Sequence, residues 1–144
     1  MAFTGNFMCT SFKVEILKAV HNFTNSTGNT FRCAMYTNSA SFTAATTAYT
    51  ATNEVSGTAY VAKGNALVNV TPTSTSTTAF TDFSDTTWSS STITARGAMI
   101  YNDSATADPS VVILDFGSDK SSSSGDFTIV FPTGDSTSAI IRIA

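Results

Sequence analysis

The feature that most restricts this chain is a change of hydrophobic period near residue 30. Over 11–23 the apolar side chains Phe12, Ile16, Val20 and Phe23 fall four, four and three positions apart, with Lys13, Lys18 and Asn22 between them. That spacing predicts one amphipathic helix of about three turns. Thr10 or Ser11 supplies a capping hydroxyl, and the Asn/Ser/Thr run 22–29 with Gly28 stops the helix. Beyond Asn29 the helical spacing does not return, and the residues alternate with a period of two. In 30–37, Phe31, Cys33 and Met35 share one face and Arg32, Ala34 and Tyr36 the other, as in a half-buried strand.

Further strands are expected over 49–55, 58–62, 66–70, 76–83, 91–101, 111–116, 126–131 and 139–143. Turn residues such as Ser56-Gly57 and Lys63-Gly64-Asn65 separate them, and Pro72 closes the 66–70 strand. Short strands without intervening helices exclude alternating βαβ units. They predict a mainly β protein, an antiparallel β-sandwich with one N-terminal α-helix. The expected organisation is an N-terminal arm, 1–10, and one β-sandwich domain, 11–144, that includes the helix 11–23. Two low-complexity tracts, TPTSTSTT at 71–78 and SDKSSSSG at 118–125, read as loops or exposed edge strands. The core is expected from three faces: Phe31/Cys33/Met35, Val112/Leu114/Phe116 and Phe127/Ile129/Phe131.

Composition then narrows the function. Charged residues are 12% of the chain, against about 25% in ordinary domains, while 26 Thr and 20 Ser among 144 residues take their place. With 7 Lys plus Arg against 10 Asp plus Glu, there is no basic surplus to neutralise phosphates, so a nucleic-acid partner is disfavoured. No apolar run approaches the roughly 20 residues that a membrane-spanning helix needs. The start, MAFTGNFMCT, lacks the pattern of a secretory signal, so synthesis in cytoplasm is expected, with Cys9 and Cys33 reduced and buried.

Candidate chemistry is sparse. His21 is the sole histidine, so any Ser-His-Asp or Cys-His mechanism has to use it; a helix-end histidine satisfied by its surroundings is the simpler reading. Two Cys and one His do not make a zinc set. Asp82 with Asp85, and Asp115 with Asp119 and Asp126, are the carboxylates that a calcium site would draw on, although turn carboxylates commonly bond their own backbone. Trp88, Tyr36, Tyr49, Tyr60 and Tyr101 are candidates for stacking on sugars, and equally for a core and its rim. Asp115-Phe116-Gly117 matches a kinase magnesium motif with none of the other kinase motifs present, and phosphate-binding glycine loops are missing. No catalytic, cofactor or metal residues are therefore assigned.

Hydroxyl side chains cost less to desolvate than charged ones, so such a surface suits burial against another protein. The apolar residues near the two chain ends, Phe3, Phe7, Met8, Ile141 and Ile143, are the candidate partner contacts. The ordered blocks CTSFKVEILKAVHNF, CAMYT, TTAYTATNEVSGTAY, TAFTDFSDTTW, ITARGAMIYN, VVILDFGSDK, GDFTIVFP and AIIRIA cover nearly the whole chain. Their series resembles a widespread family of small virion-associated structural proteins of tailed bacteriophages. The resemblance implies a non-enzymatic virion protein made in the host cytoplasm. A capsid decoration or cement protein that locks the head shell is its first expectation, with the major capsid protein or other virion proteins as partners and a homo-oligomer, a trimer above all, as its state. A tail-tip or fibre-associated protein that touches host carbohydrate or receptor is the second. It supplies no catalytic residues.

Overall fold

A computed structural model describes residues 3–144. The chain is mainly β, with one short helix and two antiparallel sheets. In chain order the elements are β1 (Phe7–Met8), α1 (Thr10–Leu17), β2 (Phe31–Tyr36), β3 (Asn65–Ala66), β4 (Asn69–Thr75), β5 (Thr78–Phe83), β6 (Thr86–Asn102), β7 (Ser110–Ile129) and β8 (Ile141–Ile143). The larger sheet runs β1-β7-β6-β2-β3 and the smaller β4-β5-β8. They meet through aromatic rings: Phe31 of β2 lies 5.7 Å from Phe83 of β5, and Phe83 lies 5.9 Å from Phe131. Phe23 stacks on Phe31 at 4.3 Å and seals the same junction.

The frame of the molecule is the β6–β7 hairpin. Near its turn, Ala98 to Tyr101 face Ser110 to Leu114, and β2 covers β6 on the other side. Both faces of this part are buried, which is why Ala98, Met99, Ile100, Val111 and Ile113 are all apolar. Farther out, the register slips three positions between Ala95↔Lys120 and Gly97↔Asp115, which leaves Phe116 to Asp119 bulged from β7. Left-handed backbone at Ser90, Gly117 and Ser124 bends the pair again. The consequence is large. Phe116 and Phe127 are eleven positions apart, about 36 Å along a straight strand, yet their rings are 6.2 Å apart.

Several expectations change. The helix is Thr10–Leu17, shorter than 11–23, and its N-cap is Cys9, with no side-chain capping bond. It ends because Ala19 adopts φ 58° while Val20 N–H donates to Glu15 C=O and Ala19 N–H to Ile16 C=O. That is a Schellman motif built on alanine instead of glycine. The expected strands 49–55 and 58–62 do not form; 37–64 is irregular and, in place of a ladder, has single bridges such as Tyr36↔Glu54 and Thr58↔Thr92. The expected strands 111–116 and 126–131 and the SDKSSSSG tract between them belong mostly to β7. TPTSTSTT forms most of the edge strand β4, where a register shift between Val70 and Thr73 absorbs Pro72.

The core faces are partly as expected. Phe31, Cys33 and Met35 are buried, but so are Ala34 and Tyr36, because β2 is covered on both faces. On β7 Val112 is buried as expected, but Val111 and Ile113 on the opposite face are buried more deeply, and Leu114 and Phe116 are only half-buried. Phe127, Ile129 and Phe131 are buried as expected. The described part of the 1–10 arm is woven into the body: Phe3 is fully buried against Phe42, and its ring fills the space over Gly97 that a Cβ would occupy. Gly5 and Asn6 bond Asp115.

Candidate functional site

His21 sits in a closed aromatic box, with ring centroids of Phe12, Phe31 and Phe23 at 5.0, 6.1 and 6.2 Å. Asn102 fixes its tautomer. The Asn102 Oδ1 accepts from Ser104 N–H and its Nδ2 donates to Asn29 Oδ1, so that Nδ2 also donates to His21 Nδ1 at 3.0 Å. The imidazole proton is then on Nε2 and is given to Glu15 Oε2 at 2.8 Å. Both ring nitrogens are occupied by groups that are not nucleophiles. This histidine fastens the end of α1 to β6, and carries no acyl-transfer geometry.

The carboxylates are likewise engaged. Asp82, 2% exposed, accepts Phe83 N–H and Ile140 N–H, and burial holds its pKa above the ordinary value. Asp85 accepts Phe131 N–H, so the two aspartates clasp the 131–140 segment to β5. Asp115 accepts Gly117 N–H and Gly5 N–H and pairs with Arg96 at 3.2 Å; these bonds, the first above all, hold its pKa low. Asp126 accepts Ser90 N–H. Asp119 is exposed on the β7 bulge. Among the described residues no group of three or more His, Cys, Asp or Glu side chains converges on a metal position. Cys9 and Cys33 are buried and unbridged, and burial pushes the Cys33 thiol up to about 12, far from a reactive thiolate.

The aromatic residues considered for sugar stacking turn inward. Tyr36 and Tyr101 are fully buried and Trp88 is 2% exposed. Tyr49 stacks on Tyr101 at 4.7 Å and Tyr60 on Trp88 at 6.0 Å. Their hydroxyls hold the irregular 37–64 segment in place of a strand ladder. Tyr36 donates to Thr50 C=O, Tyr101 to Lys63 C=O, and Tyr49 and Tyr60 both donate to the Glu54 carboxylate at 2.6 and 2.7 Å. Tyr60 oxygen also accepts Met35 N–H.

The expected partner contacts divide. Phe3 and Ile141 are spent on this chain's own interior, being 0% and 3% exposed, so they offer no surface to another protein. Ile143 is 54% exposed beside a small apolar hollow of about 140 Å³ between α1 and the smaller sheet. Phe7 and Met8 form β1, the edge strand of the larger sheet, whose pairing among the described residues is with β7. They line one of two adjoining hollows, each of about 460 Å³, which share Phe116, Ile129 and Val130. Together these make an apolar groove along β7 to the 130–140 segment, with Leu114 and Ile140 in its wall and Val130, 73% exposed, on its rim. Sequence reasoning found Phe7 and Met8 and missed Leu114, Phe116, Val130 and Ile140. The available signal was Ile129-Val130-Phe131, where the alternation of buried and exposed residues carries an apolar side chain on its exposed beat.

No protein-family model, no curated protein and no solved structure matches the chain.

Proposed function

We propose that this chain is a non-enzymatic structural protein of a bacteriophage particle, docking on a neighbouring subunit through the β1/β7 groove. The observation that carries the reading is that groove: partly exposed apolar side chains beside the edge strand β1, in a chain whose only histidine and most of whose aspartates are bound to its own framework. The phage-family resemblance of the eight sequence blocks supplies the setting. Thr128 and Ser138 in the groove's lining are desolvated at less cost than charges, while Lys120, Asp126 and Asp115, which also border it, are the groups that a partner has to pair or leave in water. Within a particle the decoration role comes first, with the major capsid protein as partner and a homo-oligomer, a trimer above all, as the docking unit. The inward turn of Trp88, Tyr36 and Tyr101 removes the aromatic platform on which the tail-tip reading leaned.

Val130→Lys tests this. The side chain is mostly exposed, so the variant folds with an unchanged melting temperature, and the reading expects it to be lost from purified particles in competition with the unaltered chain. Equal incorporation of the two would refute docking through this groove. Quantifying the chain per particle separates many copies spread over a shell from a few at a tail.

A further inference from the structure

Of the two hollows in the groove, the outer one, bordered by Phe116 and the 126–130 segment, has a distinctive rim. Its floor is apolar: Phe127 and Ile129 are almost fully buried, and the Phe116 ring lies 6.2 Å from that of Phe127. Val130, the next residue after that floor, projects at the edge and is mostly exposed. The same edge holds one cation and one anion, Lys120 and Asp126, both exposed. Among the described residues neither enters a salt bridge, whereas Arg32, Lys63 and Arg96 each pair with an aspartate. Asp126 accepts Ser90 N–H through Oδ1, which leaves Oδ2 for a further donor. Ser121 to Ser124 lie between the two charges on β7, with left-handed backbone at Ser124, so they share one hollow without pairing to each other.

An apolar knob beside an apolar hole, and a cation beside an anion, make a patch that is complementary to itself. Two-fold symmetry requires that property. In an isologous contact, residue i of one copy meets j of the other and j meets i, so one patch supplies both halves of the interface. Two such patches face to face set each Val130 against the opposite hollow, whose volume is about 460 Å³, and each Lys120 against the opposite Asp126. The apolar contact then supplies the affinity. Exposed ion pairs add little energy, but they fix orientation, because a shifted approach sets like charges together. A partner of any other kind has to bring its own anion, cation and apolar knob at matching positions, whereas a second copy has them already.

We propose that a second copy of this chain occupies the outer hollow in a two-fold dimer, each Val130 entering the partner's hollow and each Lys120 pairing with the partner's Asp126. The inference rests on the reading of the groove as a docking surface. It leaves the hollow beside Phe7 and Met8 for a subunit of another kind, and a trimer would have to form through a different surface. The test is sedimentation velocity of the full chain from micromolar to near-millimolar concentration, where a monomer–dimer equilibrium is expected. Lys120→Asp and Asp126→Lys, both at exposed positions, should each weaken self-association at least tenfold, because like charges then face each other twice. Mixing the two variants in equal amounts restores both attractive pairs, so native mass spectrometry should find a dimer with one chain of each kind. That rescue also shows that both variants are folded. Four results would each overturn the proposal: a monomer at every concentration, self-association that both single variants retain, a mixture that stays monomeric, or a three-fold assembly that the variants abolish. A monomeric chain whose Val130→Lys variant is still lost from particles would sink the dimer and keep the docking reading, and a rescued dimer with equal incorporation of Val130→Lys would do the reverse.

Discussion

The two halves of the β6–β7 hairpin are built from one continuous pair of strands and behave as different materials. In the half near the turn, Ala98 to Tyr101 against Ser110 to Leu114, nearly every side chain is buried and apolar. In the far half, Thr86 to Ala95 against Lys120 to Ile129, one face packs Trp88, Ile93 and Phe127 while hydroxyls pair across the strands. Ser91 meets Ser122 at 2.7 Å, Thr94 meets Ser121 at 2.8 Å and Thr87 meets Thr128 at 2.8 Å. Apolar burial fixes the first half. The second keeps register with small cross-strand hydroxyl pairs and bulges, so its outer surface stays largely uncharged and available for covering.

The comparison breaks if the halves respond alike to substitution. The largest effect is expected at the sheet junction beneath the near half, where Phe31→Ala removes a fully buried ring stacked on Phe23 and should cost about 3 to 5 kcal/mol in denaturant unfolding. Next is Tyr60→Phe. It strips Met35 N–H of its acceptor and Glu54 of a donor, and about 1 to 3 kcal/mol should be lost, with proteolysis first appearing in 37–64. In the far half, Thr94→Ala should cost only about 0.2 to 1 kcal/mol, the range of one cross-strand pair. A far-half loss as large as that at Phe31 would mean that the hydroxyl ladder, and not the core, carries the fold.

Acid sharpens the same contrast. Asp115 titrates below its ordinary value of 3.8, through Gly117 N–H, Arg96 and Gly5 N–H, so its contribution is present above that value and is lost as pH falls through the lower folded one. Asp103 behaves alike: burial opposes the shift, but bonds from Lys63 and Arg32 outweigh it. Asp82 has the opposite sign. Burial raises it, so its cost is greatest above its folded value and vanishes as pH falls below 3.8. Asp115→Asn should therefore flatten the acid limb of the stability curve, and Asp82→Asn should steepen it by removing the compensating group. Unchanged acid limbs in both variants would contradict these assignments. The smallest effect belongs to Ala19→Gly, which relieves an alanine in left-handed backbone and should raise stability by up to about 1 kcal/mol.

Strand β2 and the sandwich class were legible because alternation and apolar content agree there. The helix end was not, since Ala19 occupies a position that glycine usually announces. The 49–62 segment alternates like strands, but Tyr49 and Tyr60 satisfy their hydroxyls on Glu54 and Tyr36 of β2 donates to Thr50 C=O, so the segment is bound by side chains. SDKSSSSG has no apolar beat of its own; pairing with β6 imposes its extended state. Of the candidate docking site, Phe7 and Met8 were visible as apolar residues near an end. The rest of the groove depends on the β7 bulge and bend, which bring Phe116 beside Phe127 from eleven positions away.

The proposal that this chain is a phage-particle protein that works by being covered, rather than by catalysis, is tested most directly by a reconstruction of intact particles at side-chain resolution. Density for the chain is expected on the particle, with a neighbouring subunit seated over Phe7, Leu114, Phe116 and Val130. Particles without the chain, or with that groove facing open solvent in every copy, would contradict it.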